Sequence, residues 1–208
     1  MTEAQMLAFV LTSLIVIVTP GQDIILVMSR AISQWSKAGI VTAAGVSTGL
    51  LGHTLLTALG LGSLLTASQL LFAILRVVGA GYLVYLGVRL LLSQGSELGL
   101  QETKPAQLGR LFTQGALSNL SNPRVTVFYF AFLPQFFSSD VSNPTQLLLF
   151  LGIVFAGLTF LVKGPVGYFA GSLSSWLRAR PMVLRWLDRT SGLVLIGLGV
   201  RLAFERRS

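Results

Sequence analysis

Apolar residues run along this chain in long blocks, and polar residues collect in the short gaps between them. A helix needs about 20 residues to cross ~30 Å of hydrocarbon, and six blocks have that length: 4–28, 39–65, 70–92, 111–137, 145–173 and 183–204. The pattern predicts an all-α integral membrane protein with six transmembrane helices. Two blocks are interrupted, the first by Thr19-Pro20-Gly21-Gln22-Asp23 and the fourth by Ser121-Asn122-Pro123-Arg124. A broken helix in a bilayer frees backbone donors and acceptors, and such breaks are tolerated mainly where they line a cavity or bind something. Helices 1 and 4 are therefore expected to be proline-broken, and a transporter is the first reading.

The longest polar connection, 93–110, divides a single domain (1–208) into halves of about 1–92 and 111–208. The halves share short words. Leu86-Gly87-Val88-Arg89-Leu90 closes the third block and Leu198-Gly199-Val200-Arg201-Leu202 the sixth; Gly62-Ser63-Leu64 echoes Gly171-Ser172-Leu173; Pro20 and Pro123 hold matching places. Chance matches between apolar words compete with duplication as the explanation. With three helices per half, a duplication places the halves in opposite orientations, the inverted-repeat plan of secondary transporters. Most of the 22 glycines are expected to serve close helix packing in lipid.

Charge adds orientation. Only 11% of the 208 residues are charged, against about 25% in soluble domains. The net charge of +8 is not spread as for nucleic-acid binding, because the basic residues gather at helix ends. Placing the odd-numbered connections in the cytoplasm puts Arg30, Lys37, Arg89, Lys104, Arg110, Arg178, Arg180, Arg185 and Arg189 inside. That leaves Arg201, Arg206 and Arg207 outside, nine against three. Both termini then face out, and a single Cys placed in 93–110 should be inaccessible to a reagent added outside. With Glu3 and no basic residue before Arg30, a cleaved signal peptide is not expected. There is no Cys and one His, which excludes disulfides and thiolate metal sites.

The breaks carry the candidate chemistry. Thr19 is expected to cap a helix whose first position is Pro20, with Gln22 completing a capping box and Asp23 in the first turn. Asn122 is the expected cap before Pro123. Inverted halves would point the two helix N-termini at each other, where their free N–H groups suit a carboxylate. Asp23, read as the only acid at depth, would hold an ammonium group or a proton. The competing reading is a pair of kinked helices with Asp23 capping its own backbone, but ionisable groups at bilayer depth are costly and functional candidates by default. Lys163 could pair with Asp23, meet a substrate carboxylate, or snorkel to an interface. Arg124 could reach the same carboxylate or a lipid phosphate. His53 could relay protons or simply pack through a hydrogen bond. Asn119 and Ser121 complete the candidate binding set of Thr19, Pro20, Gly21, Gln22, Asp23, Asn122, Pro123 and Arg124, with Asp23, His53 and Lys163 as charge-coupling candidates. Gln135 is expected at the outer mouth of the fourth helix, and Tyr82, Tyr85 and Tyr129 as interface or packing aromatics.

At these motifs, and over nearly its whole length, the chain resembles the LysE/RhtB family of bacterial amino-acid exporters. The words that carry the resemblance are Thr19-Pro20-Gly21-Gln22-Asp23, Gly49-Leu50-Leu51-Gly52-His53, Ala80-Gly81-Tyr82-Leu83-Val84-Tyr85-Leu86-Gly87, Asn119-Leu120-Ser121-Asn122-Pro123-Arg124 and Phe132-Leu133-Pro134-Gln135-Phe136. Family members usually read Pro-Gly-Pro-Asp and Asn-Pro-Lys, so Gln22 and Arg124 are departures, the latter keeping its charge. The resemblance implies secondary-active efflux of amino acids or their derivatives across the bacterial inner membrane by proton antiport. It also implies a small-molecule amino-acid substrate, a lipid bilayer and no nucleic acid as partners, no cofactor and no catalytic residue; a homo-oligomer stays open. Alternatives are export of a metal cation or another small metabolite, a passive channel, or a membrane-embedded enzyme. The scarcity of soft ligands disfavours the metal. The lack of paired acid–base groups disfavours the enzyme.

Overall fold

The computed structural model describes residues 2–67, 69–93, 104–136 and 143–204, with the side chains of 61–67, 69–73, 75, 76, 123, 124, 134, 178 and 181 outside the described set. Every regular element among them is helical: α1 Glu3–Val18, α2 Gln22–Ser33, α3 Ser36–Ala67, α4 Gln69–Leu91, α5 Leu108–Leu120, α6 Pro123–Phe132 with a 3-10 turn Leu133–Phe136, α7 Pro144–Tyr168, α8 Ala170–Arg178 and α9 Pro181–Phe204. Helix starts follow local chemistry. Thr2 and Gln5 form a reciprocal capping box on α1, and Asn143 accepts the Gln146 N–H at the head of α7 with Pro144 behind it.

Two described helices are long and apolar enough to cross a bilayer alone, Ser36–Gly60 and Pro144–Tyr168, and the pair α1–α2 makes a third if counted as one span bent by 55°. Two further stretches fall below that measure for identifiable reasons. The α5–α6 stretch is divided at Ser121–Asn122, and α9 carries Arg185, Asp188 and Arg189 in its first half. Outward-facing Leu7, Leu11, Leu55, Leu59, Ile153, Leu161 and Leu193 are exposed, a surface suited to hydrocarbon.

The first break differs from the expectation. Thr19 closes α1 rather than capping α2: its ψ of 126° leaves the helical region, as the residue before a proline tends to. Gly21, fully extended, precedes α2, which begins at Gln22 with no side-chain cap. Gln22 therefore cannot complete a capping box with Thr19, whose hydroxyl instead donates back to the Ile15 carbonyl (2.9 Å). At the second break Pro123 is the first residue of α6, and the Asn122 carbonyl accepts from Val125 and Thr126.

Backbones meet at glycines. Gly39 lies against Gly167 between α3 and α7, Gly45 and Gly115 against α5 and α3 respectively, and Gly87 against Gly192 between α4 and α9. The central core is aromatic: Phe9, Phe128, Phe132, Phe136 and Phe155 interlock, with Phe128 and Phe132 stacked at 4.8 Å. Arg30, at the foot of α2, donates to the Lys104 carbonyl (3.0 Å) and the Gln114 side chain (2.9 Å). Gln34 donates to the Ala106 carbonyl, so the end of the polar connection is held to α2.

Candidate functional site

A cavity of about 170 Å³ opens between the two breaks. Thr19, Pro20, Gly21, Gln22 and Asp23 line it from the first break, Asn122 and Val125 from the second, Thr159 and Lys163 from α7, and Ser191 from α9; Leu50, Leu86, Phe128, Phe155 and Leu195 form apolar walls. The volume is comparable to one that admits a benzene-sized molecule.

At its polar end Lys163 Nζ donates to Asp23 Oδ2 at 2.9 Å, with side-chain exposures of 9% and 12%. Asn119 Nδ2 donates to the same oxygen, also at 2.9 Å. His53 Nε2 lies 3.0 Å from the Asn119 backbone carbonyl. A carbonyl can only accept, so this nitrogen carries the proton. Four helices thus meet through one buried chain of polar contacts: His53 on α3, Asn119 on α5, Asp23 on α2 and Lys163 on α7. A Cβ added at Gly49 would stand 2.9 Å from Asn119 Cβ, so the bare glycine is what lets α3 and Asn119 come this close. His53 lies four residues on, one turn away on the same face.

Buried ion pairs gain little net stability, because desolvation offsets the Coulomb attraction; losing one partner costs about 3–5 kcal/mol. Here the cost of desolvation is met at a cavity wall, with one carboxylate oxygen, Asp23 Oδ1, lacking any partner among the described residues. Such an arrangement offers one carboxylate to competing cationic groups.

The predicted residues separate into groups. Asp23, Asn119, His53 and Lys163 are joined directly, with Lys163 buried in the pair rather than extended to an interface. Thr19, Pro20, Gly21 and Gln22 line the cavity without bonding to the ion pair, and Asn122 lines it from the second break; Thr19 bonds to Ser191 through their hydroxyls. Ser121 is exposed and outside the lining. The side chains of Pro123 and Arg124 lie outside the described residues. Gln135 is fully buried and donates to the Ala131 carbonyl of its own turn, so it does not line a mouth; a helix amide with no outward path bonds backward. Tyr129 packs edge-on to Phe155 at 5.5 Å and against His53 at 5.8 Å, and Tyr85 is exposed.

Thr159 and Ser191 were not singled out from the sequence. Thr159 stands one turn before Lys163 in an apolar helix, a spacing that puts both on one face and was there to be read. Asp23 is also not the only buried acid: Asp188, 4% exposed, accepts from Ser93 Oγ at 2.8 Å where α9 meets the end of α4.

The chain has recognisable relatives among known proteins. The model of the LysE type translocator family matches residues 14–206. A homoserine/homoserine lactone efflux protein of Salmonella typhimurium is 31% identical over 209 residues, covering all of both chains, and one of Salmonella typhi is 30% identical over the same extent. The membrane protein YrhP of Bacillus subtilis is 28% identical, covering 94% of this chain and 97% of its own. No solved structure matches. With a family model spanning most of the sequence and a full-length relative above 30% identity, the chain belongs to the LysE type translocator family.

Proposed function

We propose that this translocator exports amino acids or close derivatives from the cytoplasm across the bacterial inner membrane in exchange for protons, with the cavity at Asp23 as its substrate site. The observation that carries this reading is the buried Asp23–Lys163 pair on the wall of a cavity between two helix breaks. The names of the two Salmonella relatives supply the amino-acid class; the lactone in those names, which has no free carboxylate, is said of those two proteins alone.

The coupling follows from competition for one carboxylate. A substrate ammonium and a proton cannot both neutralise Asp23, and mutual exclusion at a shared site is what antiport requires. From the cytoplasm, the ammonium group displaces the Lys163 contact. On the outward side a proton takes the carboxylate and releases the substrate. The uncapped N–H groups at the start of α2 suit the substrate carboxylate.

The scaffold we propose is six spans in two inverted three-helix halves, with both termini outside. Its support lies in α4 and α9. The matched words set an offset of 199 − 87 = 112 between Gly87 and Gly199. Gly87 packs on Gly192 and Gly199 on Ala80, and 192 − 80 is again 112. A local twofold between α4 and α9 would give this placement of small residues.

Efflux from proteoliposomes preloaded with a panel of labelled amino acids tests the proposal. A subset should leave several-fold faster when the outer medium is made acidic than without a gradient. If folded protein releases none of them, the amino-acid reading is lost and other metabolites, metals and channel activity become the readings to test.

A further inference from the structure

We infer that Lys163 makes the site selective for zwitterions: a ligand must bring a carboxylate together with its ammonium group. The inference rests on the proposed substrate site and assigns a specificity-determining role within it.

The starting point is what the pair leaves unused. An ammonium group has three N–H donors and a carboxylate two oxygens. Lys163 has one recorded partner among the described residues, Asp23 Oδ2, and that oxygen already accepts from Asn119 as well. Asp23 Oδ1 is buried and has none. The unpartnered oxygen is buried, so a ligand ammonium takes the place of Lys163 on Oδ2 and leaves the Lys163 donors free in the cavity that both side chains line. The site therefore offers an acceptor on an anion and released donors on a cation, side by side and largely desolvated.

A molecule carrying only an amine would fill the acceptor and place a second cation beside Lys163, leaving one uncompensated positive charge in a low-dielectric cavity. A molecule carrying only a carboxylate would leave an uncompensated negative charge. A zwitterion fills both, with its ammonium on Asp23 and its carboxylate on Lys163, and net charge stays at zero. Since uncompensated buried charge is costly, charge balance favours the free amino acid over its carboxamide or ester. The cavity of about 170 Å³ restricts the side chain to a small one.

The test uses purified full-length protein and, for each amino acid of the panel that binds, its carboxamide and methyl ester. Dissociation constants are read for wild type, Lys163→Met, Lys163→Arg and Arg124→Gln. Wild type should bind the free acid at least tenfold more tightly than either derivative, Lys163→Arg should keep that preference, and Lys163→Met, which leaves the Asp23 charge alone, should abolish or reverse it. Because Lys163→Met leaves Asp23 unpaired and risks misfolding, the doubly neutral Asp23→Asn/Lys163→Met variant is measured beside it and should also show no preference. Equal wild-type affinity for acid and amide would overturn the inference, as would a preference that survives Lys163→Met or vanishes in Arg124→Gln while Lys163 is intact. Those outcomes leave amino-acid transport standing. Failure of wild type to bind any amino acid is the separate result that removes the proposed function, and the inference with it.

Discussion

Asp23→Asn is expected to lower gradient-driven efflux by about 100-fold or more while the protein still inserts and folds. Asparagine keeps the shape and one acceptor oxygen but cannot carry the negative charge that faces Lys163 across 2.9 Å. Removing one member of a buried pair costs about 3–5 kcal/mol, and each 1.4 kcal/mol is a factor of ten. Part of that cost falls on stability, because Lys163 loses its counter-charge in a largely buried place. Thermal unfolding in detergent should therefore show a lower midpoint for Asp23→Asn, recovered in part by the double variant Asp23→Asn/Lys163→Met. Transport should not be recovered, since neither residue can then exchange a proton or an ammonium group. An Asp23→Asn protein retaining more than a tenth of wild-type efflux would remove Asp23 from the centre of the site.

Gly45→Ala is the second large effect, and it acts on the scaffold. A Cβ at this position would overlap the Phe112 carbonyl oxygen and stand 2.9 Å from its carbon and 3.1 Å from the Ala116 nitrogen. All three are backbone atoms of α5, so no rotamer can relieve the clash. The opposing helix repeats the arrangement, with Gly115 against the Thr42 carbonyl. Overpacking of this kind costs about 1–3 kcal/mol and sometimes more. Since Asn119 lies in the last turn of α5, pushing that helix away from α3 also loosens the hold on Asp23, so efflux should fall with the unfolding midpoint. Gly81→Ala is the control: nothing lies within 4 Å of a Cβ there, and alanine favours a helix by up to about 1 kcal/mol. Its midpoint should stay level or rise. Equal behaviour of the two variants would refute backbone contact between α3 and α5.

Helical class, family and the boundaries of most helices were legible because apolar block length and proline placement are local signals. Asp23 stood out for a related reason, a charge where charge is costly. What the local pattern could not carry was pairing. Asp23 and Lys163 are 140 residues apart, and nothing around Lys163 distinguishes a buried partner from a snorkelling one. The role of Thr19 was misread because two local rules conflict. Thr suits a helix cap, but the residue before a proline is driven out of the helical region, and here the second rule wins. Gln135 was misplaced because a polar residue after a proline suggests an opening, whereas its amide bonds back to Ala131 inside the core. The number of spans is blurred in the helices for the reason it looked clear in the sequence. Apolar content was read over whole blocks, while the block 111–137 is cut into short helices and α9 begins with charges.

The most direct measurement is labelling of a cysteine in the cavity, since the native chain has none. Val125 lines the cavity, is partly exposed and changes little in size on conversion to Cys. In proteoliposomes, Val125→Cys should be modified by a small thiosulfonate reagent and lose efflux as it reacts. A saturating transported amino acid should slow that modification several-fold. Modification at an unchanged rate with substrate present, in a variant that still transports, would contradict the claim that substrate occupies the cavity beside Asp23.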